Sequence, residues 1–166
     1  RKRIAKKRRE QDVRNKQRDF KKKLDSFFQA EYSDQIEREV QEIVNEFLEE
    51  AASASELANP QAIVNMELSA IKKIQDLRSK YKIQLPPGMG LTADLSRDWD
   101  AYLYAQNKID KEIFLQGEAQ IQTAVVRLSK QVSINLDDEL RFKGLLSQVI
   151  SDSSNTVQNE IDSTVN

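Results

Sequence analysis

Residues 24–51, LDSFFQAEYSDQIEREVQEIVNEFLEEA, decide the fold class. From Tyr32 the residues Ile36, Val40, Ile43, Phe47 and Ala51 recur at steps of four and three. That spacing lines one face of an α-helix at about 100° per residue. The positions between them are rich in Glu, a good helix former, and none of the stretch alternates with the period of two that a strand needs. It reads as amphipathic helix, either one long element or two nearly collinear ones. Asp34 and Glu37 stand at capping-box spacing, which places a break near Ser33–Asp34.

Upstream, Val13, Phe20, Leu24 and Phe27 share an arc of about 60° on the same helical reckoning. Residues 1–12 have no apolar face. The opening run RKRIAKKRREQDVRNKQRDFKKK holds 13 Lys or Arg in 23 residues and carries a net charge of +10. The remainder of the chain carries -11, so the overall charge of -1 describes neither part. The acidic extreme is 31–56, whose belt of Glu37, Glu39, Glu42, Glu46, Glu49 and Glu50 is opposed there by Arg38 alone.

Downstream, AASASELANP reads as a connection. Asn59 suits an N-cap and Pro60 the first helical position. Ile63, Met66, Ala70, Ile71, Ile74, Leu77 and Tyr81 form the next stripe, ending near Lys82. IQLPPGMGLT is the clearest break, since paired prolines exclude helix and Gly88 and Gly90 permit turns. Its apolar residues suggest a loop packed against the bundle end. Leu95, Trp99, Leu103, Ile109, Ile113, Ile121, Val125, Leu128 and Val132 mark a long third helix. Gly117, on its buried stripe, allows a close helix approach or a kink. SINLDDEL reads as a short connection capped by Asn135. Phe142, Leu146, Val149, Ser153, Val157, Ile161 and Val165 then mark a fourth helix. The expected fold is all-α, an elongated antiparallel helical bundle of about four long helices. Residues 1–19 form a basic arm or helix extension and 20–166 the bundle domain.

The 166 residues suffice for one domain with a real core. No run approaches the roughly 18 apolar residues of a membrane span. The chain opens on Arg rather than Met. It is therefore expected to be a piece of a longer protein, and a preceding membrane anchor stays open. Cysteine and histidine are both absent. This excludes a disulfide framework, a thiolate nucleophile, Cys- or His-ligated metal sites and the proton carrier best suited to neutral pH. PPGMG lacks the Lys-Ser/Thr of a phosphate loop. Asp98 and Asp100 flank Trp99 on different helix faces and cannot converge as a glycosidase pair. Asp137, Asp138 and Glu139 lack the spacing and glycine of a calcium loop. No catalytic, cofactor-binding or metal-ligating residues are expected, and no cofactor.

What stands out is the basic run. Arg1, Lys2, Arg3, Lys6, Lys7, Arg8, Arg9, Arg14, Lys16, Arg18, Lys21, Lys22 and Lys23 are the candidate contacts to a partner or polyanion, and the acidic belt is a matching docking surface. The expected function is that of a non-enzymatic structural subunit of a larger macromolecular assembly, a helical scaffold whose arm docks on an acidic partner. Its partners would be other protein subunits, including copies of itself, because the apolar stripe on 20–51 exceeds what one bundle covers. Virion or secretion-machine components and scaffolds on membrane complexes fit this style. The rivals are a non-specific nucleic-acid-binding module using 1–23 and a membrane-associated scaffold behind an unseen anchor. An anionic membrane is the weaker partner, because no bulky apolar face precedes Phe20. The sequence does not determine a compartment.

Overall fold

In a computed structural model, the chain forms α1 (Lys2–Phe27), α2 (Ala30–Glu56), α3 (Pro60–Tyr81), α4 (Ala93–Ile109), a π-helical turn (Asp110–Phe114) and α5 (Leu115–Val165). The structure describes residues 1–165, and their side chains apart from Ala30 and 162–165. Among the described residues there is no strand. The fold is all-α, an elongated bundle of four rods when α4, the π-turn and α5 are counted as one.

The first break falls at Phe28–Gln29, five residues before the expected one, with Gln29 extended (φ -69°, ψ 141°). Its cause is the phase of the two apolar stripes. Phe20, Leu24 and Phe27 are buried on α1, and Ile36, Val40, Val44, Phe47 and Ala51 on α2. On one continuous helix at about 100° per residue, those two sets would point roughly 170° apart. Only an interruption lets both face the same core. Val44, rather than the expected Ile43, takes the fully buried position, and Ile43 is half-buried beside it.

The contacts set the direction of each rod. Phe20 meets Trp99, Phe27 meets Tyr102, Val40 lies against Gly117, and Asn135 bonds to Ser55. Both numbers rise together, so α1–α2 and α4–α5 run parallel. The antiparallel packing belongs to α3. Tyr32 meets Tyr81 and Glu46 meets Lys73 on one side, while Ile74 lies near the Gly117 position and Arg78 meets Asp110 on the other. The chain returns along α3 and continues the return through the proline loop. Ile83 N–H donates to Tyr102 Oη at 2.7 Å, Met89 is buried, and Gly90 O accepts from Gln17 Nε2 at 2.8 Å. The loop is thus a strap beside α1 and α4, standing where α3 stands beside α2 and α5. It does not sit at the bundle end.

The α2–α3 turn forms as its sequence suggests. Asn59 Oδ1 accepts from Ala62 N at 3.1 Å, and Pro60 opens α3. Ala58 holds φ +51°, with Ala58 N–H bonding to Ser55 O and Asn59 N–H to Ala54 O. This is a Schellman closure with alanine where glycine is usual, which costs about 1–2 kcal/mol.

Two features shape the last rod. Buried positions on α4 are Leu95, Tyr102, Gln106 and Ile109, with Tyr102 rather than Leu103 facing inward. The next buried residue is Phe114, a step of five, followed by Ile121, Ala124, Leu128 and Val132. The π-turn absorbs the extra residue and keeps one seam facing the core. Gly117 permits close approach: a Cβ there would lie 2.5 Å from Val40 Cγ1. The expected connection at SINLDDEL is absent, and α5 runs unbroken through it. No proline interrupts 133–140, and Asn135 does not cap its own helix. Its Nδ2 donates to Ser55 O at 2.8 Å, satisfying a carbonyl in the last turn of α2.

Candidate functional site

The bundle presents a different surface at each end. At one end α1 passes Gln17–Gly90, its last hydrogen bond to the strap, and continues as the arm. Residues 1–12 are all exposed, Phe20 is the first buried side chain, and Ile4 is exposed. About 16 residues of helix span roughly 24 Å. Basic side chains spread over about 260° of that helix, and the remaining sector holds Ile4, Gln11 and Asn15. Arg1, Lys2, Arg3, Lys6, Lys7, Arg8, Arg9, Arg14 and Lys16 form no ion pair with described residues. Arg18 approaches its neighbour Asp19 at 3.7 Å. Lys22 and Lys23 are exposed at the root.

Lys21 is already engaged. Its Nζ lies 2.6 Å from Asp98 Oδ2 on α4 and 3.4 Å from Asp25 Oδ1, and these two carboxylates, Asp98 first, raise its pKa. Lys21 therefore anchors the arm to α4. Asp98 holds this lysine while Trp99 stacks on Tyr102 and meets Phe20, so Asp98 and Trp99 have structural roles, and Asp100 is exposed.

Five of the six belt glutamates, Glu39, Glu42, Glu46, Glu49 and Glu50, fall within about 100° of arc along α2. Glu39 accepts a hydrogen bond from Tyr81 Oη and lies 4.0 Å from Lys80 Nζ, and Glu46 lies 3.8 Å from Lys73 Nζ. These two glutamates face α3 within the same chain. Glu37 stands on the opposite flank of α2, and Glu42 and Glu49 stand on its outer side. Glu50 lines a shallow groove of about 320 Å³ between α2 and α3 with Ile43, Phe47, Met66 and Lys73. The arm and the belt of one copy do not meet in the described contacts.

Sequence reasoning missed the polar cluster at the π-turn. Arg78 donates through Nε and Nη2 to the two oxygens of Asp110 at 3.2 Å each. Gln106, buried one turn before, donates Nε2 to Asp110 Oδ1 at 3.3 Å while its Oε1 has no hydrogen-bond partner among the described residues. The step of five from Ile109 to Phe114 was the signal that could have exposed it. Burial and the Glu39 hydrogen bond push the Tyr81 phenol up to about 12, and burial raises Tyr32 and Tyr102 as well. Among the described residues no group of three or more acidic, Cys or His side chains could hold a metal ion. No helix among them is long and apolar enough to cross a membrane.

At the other end the α2–α3 hairpin closes level with Asn135, and α5 continues alone. Every described side chain from 136 to 161 is exposed. They include Leu136, Leu140, Phe142, Leu145, Leu146, Val149, Ile150, Val157 and Ile161. Val165, on the expected stripe, lies outside the described side chains. No family model matches the chain, and no curated protein or solved structure matches it.

Proposed function

We propose that the protein is a non-enzymatic structural subunit of a larger macromolecular assembly, a helical scaffold whose basic arm docks on an acidic surface of a partner protein. The observation that carries this reading is the arm itself. It is a projecting helix with cations around most of its circumference that form no ion pair with described residues, rooted by Phe20 in the core and by Lys21 on Asp98. Alone, that helix is electrostatically unfavourable. Lys2 and Lys6, Arg3 and Lys7, and Arg14 and Arg18 are like charges four apart, each pair costing about 0.2–0.5 kcal/mol. Acidic groups on a partner relieve the repulsion and steer encounter, with most of the effect in rate and orientation. The bundle behind the arm acts as a spacer that fixes where the arm points.

A nucleic-acid duplex would relieve the same repulsion, and cations around most of a helix suit a groove. Cross-linking of the native assembly through residues 1–23 separates the two. Cross-links to an acidic protein surface, lost when Lys6, Lys7, Arg8 and Arg9 are changed to Gln, support docking. Cross-links to nucleic acid favour the rival, as would affinity for mixed-sequence duplex DNA that falls steeply with salt and is lost in the same variant.

A further inference from the structure

We infer that the projecting half of α5 is a homotypic association helix: residues 142–161 of separate copies pack against one another through an apolar stripe that the bundle leaves uncovered. This surface lies at the opposite end of the molecule from the arm, so the inference goes beyond the docking function and stands without it.

The stripe continues the core. Leu128 and Val132 are buried on α5 against the α2–α3 hairpin. At about 100° per residue, Leu146, Val157, Ile150 and Ile161 fall on the same line of the helix as those two residues. Within the bundle, α2 and α3 cover this face. Beyond Asn135 they have ended, and the face runs on for about 39 Å of exposed helix over 26 residues. Leu57, at the hairpin tip beside the root of the tail, is 80% exposed and extends the apolar surface.

The composition of the tail requires a partner. Twelve of the 15 residues of SDSSNTVQNEIDSTV are Ser, Asp, Asn, Thr or Val, all weak helix formers. An isolated helix of such residues is marginal in water and gains its stability from burying an apolar face. Phe142, Leu146, Val149, Ile150, Val157 and Ile161 supply that face with Leu145 at its flank, and from 147 to 160 the opposite side is polar. Their arc is broader than the narrow seam of a two-stranded coiled coil, so each tail meets more than one neighbouring helix.

The occupant follows from the unpartnered helices of the chain itself. There are two, and the arm presents only Ile4, Ala5 and Val13 as apolar residues. A second α5 tail offers the matching length, apolar width and low charge.

The test is the mass of the full chain by light scattering, for wild type, for Leu146→Glu with Ile150→Glu, and for a polar-face control, Ser147→Glu with Asn155→Glu. All four positions are exposed and outside the core, so cooperative thermal melting of the bundle should be retained in every variant, while helical circular dichroism falls only where the tail loses its partner. Wild type and control are expected at three or more copies, in high salt as in low, and the Leu146/Ile150 variant at one. Wild type that stays monomeric up to its solubility limit overturns the inference. So does an oligomer that survives the Leu146/Ile150 change, or one lost when the arm lysines and arginines are changed to Gln. A tail that is instead covered by a different protein would show as monomeric wild type in isolation.

Discussion

At Tyr81 one side chain reports on the contact between α2 and α3. Its ring meets Tyr32, and its hydroxyl donates to Glu39 and accepts from Gln35. Burial, and then the Glu39 carboxylate, push its pKa from the ordinary 10.0 up to about 12. Between those values the unfolded chain loses this proton while the folded chain keeps it. The contribution to stability is therefore full below pH 10 and falls as pH rises toward 12. Phenolate absorbance should show Tyr81 titrating late. Glu39→Gln should bring it down while burial still holds it above the ordinary value, and an unchanged titration would refute the Glu39 contact. At Gly117 the conflict is steric. Gly117→Ala gains roughly 1 kcal/mol of helix propensity and meets Val40 at a distance that demands repacking, which costs about 1–3 kcal/mol. The expected net loss is about 1 kcal/mol in urea unfolding. Paired with Val40→Ala, the same change should become stabilising, and additivity of the two changes would contradict the contact.

At the scale of elements, both irregularities of the long rods are corrections of phase. The π-turn lets a step of five from Ile109 to Phe114 stay on one seam. Deleting exposed Lys111 turns that step into four, so the deletion should leave helicity and cooperative melting largely intact. Deleting exposed Thr123 instead rotates Leu128 and Val132 by about 100° out of the core, and cooperative melting should be lost. Equal damage from the two deletions would show that the π-turn does not set the register. The break at Phe28–Gln29 was legible in the same way, because Phe27 and Tyr32 are five apart. The capping-box spacing of Asp34 and Glu37 pointed elsewhere, because local capping signals say nothing of the angle between two stripes. Likewise Asn135 looked like a cap for its own helix, and its actual acceptor, Ser55 O, lies 80 residues away in the chain.

Over the whole molecule, the arm and the tail project from opposite ends of a parallel pair of rods. Their effects should therefore separate. Raising salt should weaken whatever the arm binds, because exposed charges are screened within about 8–10 Å near physiological ionic strength. It should leave an association through the apolar tail intact or strengthened. Binding and mass measured on the same sample across a salt series check this, and a mass that falls together with binding would mean that one surface serves both. The all-α class, the Asn59–Pro60 start of α3, the proline break and the basic arm followed from the sequence by itself, since periodicity, caps and charge are properties of neighbouring residues. The parallel course of the two rods, the proline segment's course as a strap and the engagement of Glu39 and Glu46 by α3 were settled by tertiary structure. So was the fate of the two helix ends, one cationic and one apolar. Each depends on which distant segment lies alongside, and helical spacing alone contains no record of that.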